Sequence, residues 1–106
     1  MKESDILQLC RLEASKCGAV LSRNNSGKFE DKTGRWVTFG LFSPGGADLI
    51  GWRTINGMAQ FVAFEVKKTG GRIRPEQQGF IDAVLKAGGI AGIVYGPEDV
   101  RRLLCS

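Results

Sequence analysis

Ile6, Leu7, Leu9, Cys10, Leu12 and Cys17 recur at spacings of three and four and are followed by Gly18, so roughly Glu3 to Cys17 is predicted as an amphipathic helix with a glycine stop. Ala19 to Arg23 is a short strand candidate, ended by Asn24-Asn25-Ser26-Gly27, residue types that tolerate turn geometry. Trp36 to Phe39 has strand composition. The three glycines and Pro44 of Gly40 to Gly46 then break the pattern before Asp48-Leu49-Ile50-Gly51 resumes it, so Asp48 opens a strand. Ile55-Asn56-Gly57 reads as a hairpin turn, because Asn-Gly readily supplies the positive φ angles of a two-residue loop, and it leads into the strongest strand, Ala59 to Lys67. Asp48 and Glu65 are thereby placed on neighbouring antiparallel strands.

Beyond the Thr69-Gly70-Gly71 loop, Pro75 suits the first turn of a helix whose stripe is Phe80, Ile81, Val84 and Leu85 and whose end is Gly88-Gly89. Ile90 to Tyr95 is a short apolar strand, and Pro97 to Leu104 a closing helix with Val100, Leu103 and Leu104 inward. With the short Trp36 to Phe39 candidate left out, the order is αβββαβα: an α/β fold with a mixed central sheet flanked by helices, one domain over residues 1–106, without repeats or low-complexity tracts. A chain of 106 residues is long enough for one core and too short for two.

Composition narrows the chemistry. There is no histidine, which removes histidine acid–base catalysis, Ser-His and Cys-His nucleophile pairs and the usual zinc sites, so catalysis must use carboxylates, lysine or a hard metal. A formal charge of +4 and a pI near 9.2 favour a polyanionic partner. No apolar run approaches the roughly 20 residues of a membrane span, and Met1 to Asp5 is charged without a signal-peptide core, so a cytoplasmic protein with no membrane partner is expected. Cys10, Cys17 and Cys105 are odd in number and are expected to be reduced thiols; none has metal-site spacing.

Along Phe61 to Lys67 the two-residue period puts Glu65 and Lys67 on one face and Val62, Phe64 and Val66 on the other. With Asp48 from the adjacent strand, two carboxylates can share a hard cation while an ammonium stands near the same point. Phosphodiester hydrolysis needs this combination, because the phosphodiester charge repels hydroxide and the leaving oxygen is poor. The ordinary alternative is a solvated strand face and a turn aspartate. Against it, Phe61 to Val66 is nearly continuously apolar, as in a central strand, where a charge needs a partner or a metal.

Gly46-Ala47-Asp48-Leu49-Ile50-Gly51, Phe64-Glu65-Val66-Lys67 and Pro75-Glu76-Gln77 together resemble the virus-type replication-repair nuclease (VRR-NUC) domain of the PD-(D/E)xK superfamily. The likeness extends over nearly the whole chain, including Glu3 to Gln8, Arg23-Asn24-Asn25-Ser26-Gly27 and Gly88-Gly89. It implies a restriction-endonuclease-like core and a Mg²⁺-dependent endodeoxyribonuclease, with Mn²⁺ able to substitute and no small-molecule cofactor. Asp48, Glu65, Lys67 and Gln77 are carried over as catalytic, and Asp48, Glu65, Val66 and Glu3 as metal positions. For Glu3 an ordinary helix-start carboxylate is an equal reading. Gly-Ala stands before Asp48 where the superfamily name has Pro, a position that supplies backbone only.

Lys67 to Arg74 holds four basic residues and no acidic one, so Lys68, Arg72 and Arg74 are read as a phosphate-gripping loop rather than a merely solubilising one, with Arg23 and Asn25 as further nucleic-acid contacts. The resemblance further implies a phage-like setting and a homodimer acting on branched DNA such as four-way junctions. Trp36, Phe39, Phe42 and Trp52 are expected in the core or at a dimer interface rather than as base-stacking platforms, with Trp36 to Phe42 the interface candidate. The alternatives are a non-catalytic nucleic-acid-binding module of the same fold and, more remotely, a restriction-type or RNA-directed enzyme.

Overall fold

The computed structural model describes residues 1–105. The elements are α1 (Glu3–Lys16), β1 (Ala19–Arg23), β2 (Gly27–Glu30), β3 (Trp36–Phe39), β4 (Leu49–Ile55), β5 (Met58–Val66), α2 (Pro75–Lys86), β6 (Ile90–Val94) and α3 (Pro97–Leu104). Four strands form one sheet in the order β1-β4-β5-β6; β1, β4 and β5 are antiparallel, and β6 joins β5 in parallel after the crossover through α2. The elements of this sheet and its helices, taken along the chain, follow the order αβββαβα.

β5 is the central strand. From Val62 to Val66 it is buried throughout, because helices cover both faces of the sheet. Val62, Phe64 and Val66 pack in a cluster with Ile6, Leu7, Cys10 and Ala14 of α1 and Val100 and Leu104 of α3. On the opposite face, Ala63 packs with Ile50, Ala91 and the Ile81 and Val84 pair of α2. The period-two alternation therefore turns Glu65 toward the α2 side of the sheet.

The hairpin register comes from the turn. Asn56 (φ 52°) and Gly57 (φ 75°) occupy the left-handed region that a two-residue hairpin loop requires, and Ile55 pairs with Met58. Counting back, Leu49 pairs with Phe64, so Asp48, immediately before β4, lies level with Glu65.

Three expectations need correction. Between β1 and β4 the chain forms a separate two-stranded ribbon, β2–β3, of which only the second strand was expected; Gly27-Lys28-Phe29-Glu30 contains one apolar side chain and carries no strand period. The cysteines are not all reduced: Cys17, at the end of α1, and Cys105, after α3, form a disulfide with Cα atoms 5.7 Å apart, leaving Cys10 as the free thiol among the described residues. Their pairing depends on the packing of α1 against α3, which a separation of 88 residues does not disclose. Trp36, Phe39, Phe42 and Trp52 are not core residues, being 69%, 46%, 56% and 47% exposed. Among the described residues no helix is long and apolar enough to cross a membrane.

Candidate active site

Asp48, Glu65, Arg74, Glu76 and Gln77 line one cleft of about 410 Å³, whose far wall is the base of the ribbon (Lys28 and Thr38) and whose floor is the loop Ser43 to Gly46. Asp48 is partly open to it. Its Oδ2 accepts a hydrogen bond from the Val66 backbone N–H at 2.8 Å, so the strand that carries Glu65 also fixes Asp48. Glu65 is 2% exposed and accepts from Gln77 Nε2 on both carboxyl oxygens, at 3.2 and 3.3 Å. The Gln77 amide is itself oriented, since its Oε1 accepts the Arg74 backbone N–H at 2.9 Å at the start of α2. A helix N-terminus thus opens on the cleft, where its dipole favours an anion.

Burial, reinforced by the charge and hydrogen bond of Asp48, pushes the Glu65 carboxyl up to about 8, against the opposing pull of Lys67 and Arg74. Two carboxyl groups compressed in this way are hard oxygen donors short of positive charge, which fits a divalent cation. Asp48, Glu65 and the backbone at Val66 are the positions that can hold one.

Lys67 leaves β5 as the chain turns away. Its backbone N–H donates to the Val94 carbonyl at 3.1 Å, and its stem lies against Gly71, where an added Cβ would sit 3.5 Å from Lys67 Cβ and Cδ. The side chain is partly exposed, close enough for its charge to act on Glu65. Arg74 joins it as a second cation, ion-paired with Glu76 at 3.2 Å across an exposed contact.

Glu3 is exposed at the first turn of α1 and does not line the cleft; among the described residues no three Asp, Glu, His or Cys side chains converge on a metal position. Lys68, Arg72, Arg23 and Asn25 are exposed outside the cleft lining.

Sequence reasoning passed over Asn24. It is 9% exposed, its Nδ2 donates to the Leu41 and Ala47 carbonyls at 3.0 Å each, its Oδ1 accepts the Leu41 N–H, and its backbone N–H donates to the Asp48 carbonyl at 2.7 Å. One side chain thus pins both ends of the loop that delivers Asp48. Gly45 completes this loop: its φ of 101° suits glycine, and a Cβ there would meet the Glu76 carbonyl. Lys28, Thr38 and Glu76 were also missed as cleft residues. The adjacent pair Asn24-Asn25 was visible, but which asparagine is buried follows from how the 41–47 loop folds back.

A three-layer α/β core carries two carboxyls and a glutamine in a cleft at the end of its central strand, with the Lys67 charge close by outside the cleft lining. The VRR-NUC domain model matches residues 2–98, nearly the whole chain, and the chain belongs to the VRR-NUC family of nucleases. No curated protein matches it.

Proposed function

We propose that this protein is a divalent-metal-dependent DNA endonuclease, with Asp48, Glu65, Lys67 and Gln77 at its catalytic centre, acting as a homodimer on branched DNA such as four-way junctions. The observation that carries the reading is the Asp48–Glu65 pair, held by the Val66 N–H and the Gln77 amide beside the Lys67 cation.

A Mg²⁺ or Mn²⁺ ion held by Asp48, Glu65 and the Val66 backbone would supply Lewis-acid polarisation of the phosphoryl oxygen and a bound water of lowered pKa. A cation there would favour the carboxylate form of Glu65, whose two oxygens already face the Gln77 amide. Lys67 orients the attacking water and offsets the charge that builds on the phosphoryl group. Arg74 and the N-terminal turn of α2 favour the flanking phosphate. Glu3 has no part in this reading.

Pairing of two chains finds support at one end of the Trp36 to Phe42 stretch. Phe42 lines an apolar hollow of about 810 Å³ with Ile55, Met58, Phe61 and Phe80, and its ring lies 6.0 Å from Phe61 and 5.2 Å from Phe80, centroid to centroid. Met58 is 71% exposed. Covering such a hollow with a second copy removes apolar surface from water and brings two cutting centres into one particle, one for each strand of a symmetric junction.

The test incubates purified protein with labelled linear, flap and four-way DNA in Mg²⁺, Mn²⁺ or Ca²⁺, with light scattering for mass. Metal-dependent cuts, paired on the junction and made by a dimer, are expected. Binding without cleavage under every metal would leave the non-catalytic module.

A further inference from the structure

The β2–β3 ribbon is built as an arm. It belongs to no larger sheet, and Lys28, Phe29, Glu30, Trp36, Val37, Thr38 and Phe39 are all exposed. A free two-stranded ribbon is marginal in water, yet this one is braced at its tip and its neck. At the tip, Asp31 Oδ1 accepts from the Thr33 N–H and hydroxyl and the Arg35 N–H, at 2.7 to 3.0 Å. At the neck, Asn24 exchanges hydrogen bonds with the Leu41 backbone in both directions.

Its two faces differ. Antiparallel pairing of Lys28 with Thr38 and of Glu30 with Trp36 puts these four side chains on one face, and Phe29, Val37 and Phe39 on the other, where the Phe29 and Phe39 rings lie 6.3 Å apart. Lys28 and Thr38 line the same cleft as Asp48 and Glu65, so the first face is a continuation of the cleft wall. Trp36 stands two residues further out than Thr38, roughly 7 Å along the strand, and is 69% exposed. The Glu30 carboxylate leans to the tip, with Oε1 3.7 Å from a Cβ built on Gly34.

We infer that this face holds an unpaired stretch of DNA leading into the cleft, with Lys28 on its phosphates and Trp36 stacked on a base; the inference rests on the reading of the cleft as a DNA-cutting site. A cation followed outward by an exposed indole matches a phosphate followed by its base. Inside a duplex both faces of a base are covered by its neighbours, so only an unpaired nucleotide can take this position. The outer face, with Phe29, Val37 and Phe39, has no continuity with the cleft. The ribbon therefore favours, among branched DNAs, those with unpaired nucleotides at or beside the branch.

Trp52→Phe leaves Trp36 as the sole tryptophan, making its emission a reporter. The titrant is a labelled flap oligonucleotide or a blunt duplex of equal length, in EDTA so that neither cleavage nor metal is required. Flap DNA is expected to quench Trp36 strongly and blunt duplex to leave it nearly unchanged. Trp36→Ala should weaken flap binding about tenfold and duplex binding less than about twofold, with Trp36→Phe retaining most of the affinity. Lys28→Gln should lower the slope of log affinity against log salt by about 0.7. Unchanged Trp36 emission at DNA saturation overturns the inference, as does equal loss on flap and duplex, or a fall in particle mass with Trp36→Ala, which would make Trp36 a subunit contact. Cleavage without quenching would remove the ribbon's role and keep the nuclease; quenching without cleavage in any metal would do the reverse. No binding of either DNA would remove both.

Discussion

β5 and β3 face one cleft from opposite circumstances. Every residue from Val62 to Val66 is buried between two layers of helices, and every residue of β3 is exposed. On β5 the Glu65 carboxyl is held where it cannot relax, by a fixed amide and beside a second carboxyl, Asp48, which the backbone of the same strand fixes in turn. On β3 the side chains meet water and can settle against whatever arrives. The groups that must not move are set in the core, and those that meet a variable substrate stand outside it.

Substitutions on the two strands should differ accordingly. Phe64→Ala removes the largest fully buried side chain and is expected to cost about 3–5 kcal/mol in a denaturant titration. A cost below 1 kcal/mol would mean that the two-sided burial of β5 does not govern stability. Lys67→Ala, at the exit of the same strand, should spare folding and slow cleavage about 10²–10³-fold while DNA affinity stays within a few fold. If turnover persists near the native rate, the ammonium has no place in the chemistry.

Acidity gives a third contrast, because a compressed carboxyl exists only on the β5 side. The Glu65 carboxyl titrates near 8 in the folded chain against 4.5 for an ordinary glutamate, so folding favours its protonated form. That contribution is fully present below about pH 4.5 and is lost as pH rises through 8. Metal-free protein is therefore expected to melt at progressively lower temperature across this window, and Mg²⁺ to restore most at its alkaline end. Asp48→Asn should narrow the window in part, since burial of Glu65 remains the larger cause; an identical Mg²⁺ shift in native and Asp48→Asn protein would remove Asp48 from the ligand set. The smallest change is expected from Phe29→Ser on the outer face of the ribbon, within about 0.5 kcal/mol. A larger loss would show that the ribbon is part of the cooperative core.

The same contrast explains what could be read from the chain. The apolar run of β5 declared a central strand, and Asn56-Gly57 set the register that brings Asp48 level with Glu65; both signals are local. Gln77 came from the family resemblance carried by Pro75-Glu76-Gln77. The ribbon was half legible, because exposed strands are under no pressure to alternate, and its first strand offers only Phe29 as an apolar mark. Asn24 and the Cys17–Cys105 bond were illegible for another reason: each depends on two segments distant in sequence meeting in space. Glu3 shows the converse, a residue matching a motif in sequence that does not reach the cleft.

The neck of the ribbon has a consequence for how such a protein can be varied. Gly40 and Ser26 approach so closely that a Cβ on Gly40 would collide with Ser26, and Asn24 clasps Leu41 just beneath them. The chain therefore departs from the body and returns to it at a single point, and nothing between residues 27 and 39 is threaded through the four-stranded sheet. The arm is a cartridge: it can be lengthened, shortened or exchanged for another hairpin, which on the proposed reading changes the DNA ends admitted, while the clasp keeps the Asp48 loop in register beneath it.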